Sequence, residues 1–102
     1  MVLQGIGLIL GAIAFSPEKH RNYAAYEIQG AVGCRNRLID ALGKRKCAEA
    51  HRQLICVREH IAGAIEHIEG AADRTIPGSN TLHRVILDLE SLEVNFVKEC
   101  LR

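Results

Sequence analysis

The sequence predicts an all-α fold, a small antiparallel bundle of about four helices that forms a single domain over residues 1–102. Apolar residues recur at spacings of three and four along most of the chain, as they do on one face of a helix. No stretch alternates apolar and polar residues for long enough to form a strand. The length of 102 residues allows one domain, and a 48% hydrophobic content with a net charge of +1 argues against a disordered chain.

The first predicted helix covers residues 2–14. The segment Met1–Phe15 is apolar except for Gln4, which favours a buried core helix. A membrane or signal segment and a partner-docking arm are the alternatives. The run is shorter than the roughly 20 residues that a bilayer core requires. No Lys or Arg precedes it, although Ala12-Ile13-Ala14 resembles a signal cleavage site. We therefore expect this segment to pack in the core rather than on a membrane.

The second predicted helix covers residues 17–42. Ser16 offers an N-cap oxygen, Pro17 fits the first turn of a helix, and Glu18 faces the positive end of the helix dipole. Gly43 is expected to be the C-cap, because glycine is the residue most often found where a helix ends.

The third and fourth predicted helices cover residues 45–72 and 80–101. The segment from Thr75 to Asn80 contains Pro77 and Gly78 and is the clearest loop of the chain. Ser79 or Asn80 is expected to cap the last helix. The predicted core positions of the two helices are apolar residues at helical spacing: Ala50, Leu54, Val57, Ile61, Ala64, Ile65, Ile68, Ala72, Leu82, Val85, Ile86, Leu89, Leu92, Phe96 and Cys100.

Basic residues are concentrated in the first half of the chain. Residues 17–58 hold nine Lys or Arg and four Asp or Glu, whereas residues 59–102 hold four basic and eight acidic residues. We interpret this asymmetry as charge complementarity between neighbouring helices. The alternative is a nucleic-acid or acidic-partner patch at Lys44, Arg45, Lys46 and Arg52, next to Arg37. Such a patch would lack interleaved aromatic residues and an excess of total charge, so nucleic acid is not the favoured partner.

Two charged residues fall on predicted apolar faces. Arg35 lies in the middle of the stripe of the second helix that also holds Ala31 and Leu38. Glu93 lies between Leu89 and Phe96 on the last helix. Because an isolated buried charge is costly, we predict a buried ion pair between Arg35 and Glu93.

Two further helix faces are candidates for partner binding. Leu87, Val94 and Leu101 are spaced by seven on the last helix, on the side away from its core residues. A strict heptad there suggests docking against another helix, although the predicted N-terminal helix could cover the same stripe. The second candidate face, on the second helix, includes Tyr23, Tyr26 and Arg37 together with small residues.

The four cysteines and five histidines raise the question of a metal or redox site. Cys56, His60 and His67 share one side of the third helix but cannot complete a tetrahedral site without ligands from elsewhere. Cys47, His51 and Cys100 are expected at one level and could form a metal site or a Cys47–Cys100 disulfide. The cysteine spacing contains no CxxC, so we expect a reduced protein without a metal or other cofactor.

The sequence contains no catalytic motif, such as a nucleophile elbow, a phosphate-binding glycine loop or HExxH. We therefore expect no enzyme and no catalytic residues. The expected function is that of a cytoplasmic, regulatory or adaptor-like protein that binds a protein partner or a second copy of itself through its helix faces.

Overall fold

The computed structural model describes residues 17–70 and 78–101, and the fold of these residues is all-α. Three helices make up this part of the chain: α1 (Pro17–Gly43), α2 (Cys47–Gly70) and α3 (Ser79–Cys100). The predicted all-α class is thereby confirmed for these residues, and the three helices lie within a few residues of their predicted bounds. The first predicted helix, over residues 2–14, lies outside the described residues.

The connection between α1 and α2 differs from the predicted one. Gly43 is still helical, and the left-handed residue that ends the helix is Arg45, with φ of 54°. The backbone N–H of Lys46 donates to the carbonyl of Ala41 at 2.9 Å, and that of Arg45 donates to Leu42 at 3.1 Å. These two bonds form a Schellman motif, which satisfies carbonyls that the end of the helix would leave without partners.

The start of α3 also differs from the prediction. Its N-cap is Gly78, in the left-handed region with φ of 89°, and no side chain caps the helix. The predicted caps, Ser79 and Asn80, are therefore wrong: Ser79 is the first helical residue, and the Gly78 carbonyl accepts the bond from Leu82 at 2.9 Å. Glycine suits the N-cap position here because it adopts positive φ without steric strain.

The core lies between the three helices and is made of small and aliphatic side chains. The contacts between α1 and α2 run in reverse order along the chain, from His20 with His67 to Arg37 with Gln53. Ala24, Ala31 and Leu38 of α1 and Val57 and Ala64 of α2 are fully buried. Most predicted core residues of α2 and α3 are buried or half-buried, whereas Ile65 is 41% exposed.

Three ion pairs join α3 to the basic first half of the described chain. Arg35 pairs with Asp88 at 3.0 Å, Arg58 with Glu93 at 2.7 Å, and Arg45 with Glu99 at 3.0 Å. The charge asymmetry of the sequence therefore corresponds to complementary charge on neighbouring helices, because each pair joins a basic residue of 17–58 to an acidic residue of α3.

The predicted ion pair between Arg35 and Glu93 is wrong. Arg35 lies on the face of α1 that meets α3, with its side chain only 18% exposed, but its partner is Asp88. Glu93 pairs with Arg58 of α2 instead. Asp88 and Glu93 therefore border opposite sides of the core face of α3, one toward each of the other helices.

All four cysteines form disulfides, so the prediction of a reduced protein is wrong. Cys34 of α1 is bonded to Cys56 of α2, with their Cα atoms 5.8 Å apart. Cys47 is bonded to Cys100, with a Cα–Cα distance of 5.6 Å, and this bond links the start of α2 to the end of α3. The sequence allows two alternatives for Cys47 and Cys100, a metal site and a disulfide, and the structure contains the disulfide.

No helix within the described ranges combines the length and the apolar composition needed to cross a membrane. The apolar segment 1–15, on which the membrane alternative depends, lies outside those ranges.

Candidate functional site

The outer face of α3 carries exposed aliphatic side chains at heptad spacing. Leu87 is 47% exposed, Val94 is 59% exposed and Leu101 is 65% exposed. At about 100° per residue, these positions lie opposite Val85, Leu92 and Phe96, which are buried in the core. The residues described in α1 and α2 therefore leave this apolar stripe accessible to solvent.

Charged residues flank the apolar stripe on both sides. Glu90 lies one turn after Leu87, and Lys98 lies one turn after Val94 on the opposite border. Both residues are exposed, and within the described chain neither is paired with an opposite charge. The outer face of α3 is thus an apolar seam with one acidic and one basic border residue, the pattern that helix-to-helix docking uses to set orientation.

The second predicted partner face is divided: its small residues are buried, whereas Tyr23, Tyr26 and Arg37 are exposed. Cys34 and Ala41 on this side of α1 are buried, and Cys34 is bonded to Cys56 of α2. Tyr23 stacks on His67, with ring centroids 5.2 Å apart, and Arg37 donates to Gln53 at 3.1 Å. Tyr23 is 46% exposed and Tyr26 is 69% exposed. The small residues that suggested a partner surface therefore serve the close approach of α1 and α2.

The predicted basic patch is exposed, but most of its charges have acidic neighbours. Lys44 pairs with Asp40 at 3.2 Å, and Arg45 pairs with Glu99 at 3.0 Å. Lys46 lies in the connection between α1 and α2 and is exposed.

Arg52, the last member of the basic patch, binds an acidic residue on its own helix. It pairs with Glu49 at 2.6 Å, and Gln53 donates to the other oxygen of that carboxylate. These hydrogen bonds, first that of Gln53 and then that of Arg52, hold the pKa of Glu49 below its ordinary value. A carboxylate therefore accompanies three of the four bases at this end of the molecule.

A polar cluster that helical periodicity does not predict lies between α1 and α2. His60 Nδ1 lies 2.6 Å from Glu27 Oε1, and both side chains are about one-third exposed or less. Cys34, Cys56 and His60 each offer one ligand atom, and these three atoms lie within 4.8 Å of one another. The Arg37 guanidinium approaches Cys34 Sγ at 3.4 Å.

Two glycines make room for the Glu27–His60 pair. A Cβ atom placed on Gly30 would lie 2.7 Å from the His60 ring, and one on Gly63 would lie 2.5 Å from Glu27 Oε2. Real Cβ atoms do not approach other atoms so closely. The side chains of Glu27 and His60 can therefore occupy their positions because glycine stands at both places. Each helix thus contributes one glycine opposite the polar side chain of the other helix.

The sequence indicated parts of this cluster but not the whole. The sequence predicts Cys56, His60 and His67 on one side of α2, with the missing ligands coming from elsewhere. The cluster contains the first two but not His67, which stacks on Tyr23. Cys34 and Glu27 supply the other side of the cluster, because they lie seven residues apart on the face of α1 that meets α2. The position of Gly30 between them, one turn from each, was the sequence signal for a close approach by a bulky ring.

Fold and sites together define a class of protein, namely a small all-α protein whose helices are joined by two disulfides. Comparison with protein-family models, with curated proteins and with solved structures finds no match to this chain.

Proposed function

We propose that this chain is a small, non-enzymatic, regulatory or adaptor-like protein that acts by self-association through the outer face of α3. The observation that carries the proposal is the exposure of Leu87, Val94 and Leu101 in a heptad stripe opposite the core. Burial of aliphatic side chains is favourable by roughly 25 cal/mol per Å² removed from water. A second copy offers an identical stripe, and homodimers with twofold symmetry are the commonest oligomers.

The charges that border the stripe support an antiparallel pair of α3 helices centred on Val94. In such a pair, Leu87 of one copy lies level with Leu101 of the other, because both are seven residues from Val94. Glu90 and Lys98 are each four residues from Val94, so the acid of one copy comes level with the base of the other. A parallel pair would instead bring each charge level with its own copy, which is repulsive.

The bundle that presents this face is proposed to be antiparallel, as the reversed order of contacts between α1 and α2 supports. The seam from Leu87 to Leu101 spans about 21 Å at 1.5 Å per residue. An interface of this length has few apolar layers, so we expect a dimer whose population depends on protein concentration.

Charge reversal on the borders tests the antiparallel arrangement. Glu90→Lys and Lys98→Glu each bring like charges level across the seam and should weaken dimerisation in sedimentation equilibrium at low salt. The double variant exchanges the two charges and should restore the wild-type association. If the helices met in parallel or if a different face formed the dimer, neither single variant would weaken dimerisation, because each reversal would leave the number of like-charge pairs across the seam unchanged.

The basic residues near the end of α1 do not extend this proposal to nucleic acid. Lys44, Arg45 and Arg52 each have a carboxylate within 3.2 Å, which reduces the positive potential available to a phosphate.

The cytoplasmic location that the sequence predicts depends on reduced cysteines. Since both cysteine pairs are disulfide-bonded, an oxidising compartment is the better proposal, because structural disulfides persist there and are rare in the cytosol. Alkylation of the denatured native protein without reductant would modify no cysteine in that case, whereas modification of all four would favour the cytoplasm.

A further inference from the structure

We propose that Cys34, Cys56 and His60 form a binding site for a thiophilic divalent metal of the zinc class when the Cys34–Cys56 disulfide is reduced. The three ligand atoms already lie within 4.8 Å of one another, although they come from two helices. Zinc sites with three protein ligands leave a fourth position to water, and Cys with His is a donor set that zinc prefers.

The surroundings of His60 suit a metal ligand. With Glu27 ionised, the Nδ1–H of His60 donates to it across 2.6 Å, which leaves the lone pair on Nε2. A carboxylate that holds the second nitrogen of a ligating histidine fixes both the tautomer and the ring orientation. Glu27 is therefore the positioning residue of the site, and Gly63 provides the space for its carboxylate.

The charge balance of the site also suits a divalent cation. Two thiolates neutralise a Zn²⁺ ion, so a neutral complex would occupy the half-buried space between α1 and α2. Arg37 donates to Cys34 Sγ at 3.4 Å, so this sulfur already accepts a hydrogen bond from a charged donor. Binding of the metal by the two thiols releases two protons.

Disulfide and metal require the same two sulfur atoms, so they exclude each other. A small thiol can reduce the bond: two thiol molecules become one disulfide, and Cys34 and Cys56 gain two electrons and two protons. An oxidised small disulfide reverses the change: it takes two electrons from the metal-bound thiolates and two protons from solvent, and the metal ion is released.

The test isolates these two thiols. The chain with Cys47→Ser and Cys100→Ser, reduced with a phosphine that does not bind zinc, is titrated with Co²⁺ and then with Zn²⁺. We expect one metal ion per chain, a thiolate-to-cobalt charge-transfer band, and loss of that band on addition of Zn²⁺. In the same background, His60→Ala should weaken Co²⁺ binding at least tenfold, and Glu27→Gln should weaken it by about tenfold.

The wild-type chain provides the comparison that does not depend on the folding of that variant. The reduced wild-type chain should bind one more equivalent of Co²⁺ than reduced chain with Cys34→Ser and Cys56→Ser, and the oxidised wild-type chain should bind none through sulfur. Equal binding by the two reduced chains, the absence of a thiolate band in both, or unchanged affinity of the His60→Ala variant would overturn the assignment.

Discussion

Gly30 and Gly43 lie in the same helix, but their surroundings differ completely. No atom lies within 4 Å of a Cβ placed on Gly43, whereas a Cβ on Gly30 would meet the His60 ring at 2.7 Å. Gly43→Ala should raise the free energy of unfolding by about 0.5–1 kcal/mol, because alanine loses less entropy in a helix. Gly30→Ala should lower it, since His60 must leave its place beside Glu27. Urea unfolding of both variants measures the contrast, and stabilisation by both would contradict the described packing.

The ion pair between Arg35 and Asp88 is a contact between α1 and α3 whose strength can be measured. A double-mutant cycle with Arg35→Met and Asp88→Asn should give a coupling energy of about 1 kcal/mol, as expected for a partly buried ion pair at 3.0 Å. The same cycle between Arg35 and Glu93 should give no coupling, because Glu93 binds Arg58. The opposite result would restore the pairing that the sequence favoured.

Helical periodicity predicted that Arg35 needs a partner but chose the wrong one. A helical wheel gives the direction of a side chain around its axis, and both Asp88 and Glu93 border the core face of α3. It does not give the relative height of two helices. The height of α3 against α1 depends on the connection between α2 and α3 and on side-chain packing, which a single helix pattern does not contain.

At the scale of the elements, the approximate extent of each helix is more predictable than the particular residues that cap its ends. Apolar spacing placed α1, α2 and α3 to within a few residues, because each helix needs one continuous face toward the core. The ends depend on single residues: Arg45 adopts the left-handed conformation that Gly43 was expected to adopt, and Gly78 replaces Ser79 as the cap. Side-chain capping and glycine ends compete within about 1 kcal/mol, so local pattern does not decide between them.

The Cys47–Cys100 disulfide joins elements that are far apart in sequence. It closes a separation of 53 residues, so the chain-entropy model expects it to contribute about 4 kcal/mol by restricting the unfolded state. Replacing both cysteines by alanine should lower the free energy of unfolding by about 2–4 kcal/mol in oxidising buffer. Denaturant unfolding monitored by circular dichroism provides the measurement.

The control for the disulfide prediction is the same comparison in a phosphine reductant. There the wild-type chain also lacks the bond, so the two proteins should differ by less than about 1 kcal/mol. An equal difference in both buffers would assign the loss of stability to packing around Cys47 and Cys100 instead of to the crosslink.

At the scale of the whole molecule, the sequence defined the charge distribution and the fold class but not the cluster at His60. The numbers of basic and acidic residues in the two halves of the chain predict complementary charge. In the structure this complementarity appears as three ion pairs between the first half and α3. The cluster needs the register of α1 against α2, which brings Cys34 level with Cys56 and Glu27 level with His60. That register follows from the turn at Arg45 and from the glycines, and neither gives a periodic signal.

The exposed seam of α3 is the feature on which the proposed function depends. Val94 is 59% exposed at its centre, so an acidic residue there should leave the fold intact while placing two like charges at the centre of the antiparallel dimer. The matched control is Ile55→Glu, an exposed isoleucine of α2 that is 38% exposed and lies away from the seam.

Sedimentation equilibrium of the 102-residue chain, compared with Val94→Glu and Ile55→Glu, tests the central claim most directly. We predict a dimer for the wild-type chain and for Ile55→Glu, and a monomer with unchanged circular dichroism for Val94→Glu. A wild-type chain that stays monomeric up to about 100 µM, which corresponds to an association free energy weaker than about 5.5 kcal/mol, would contradict self-association. A Val94→Glu variant that unfolds would equally contradict it, since the stripe would then be part of the core.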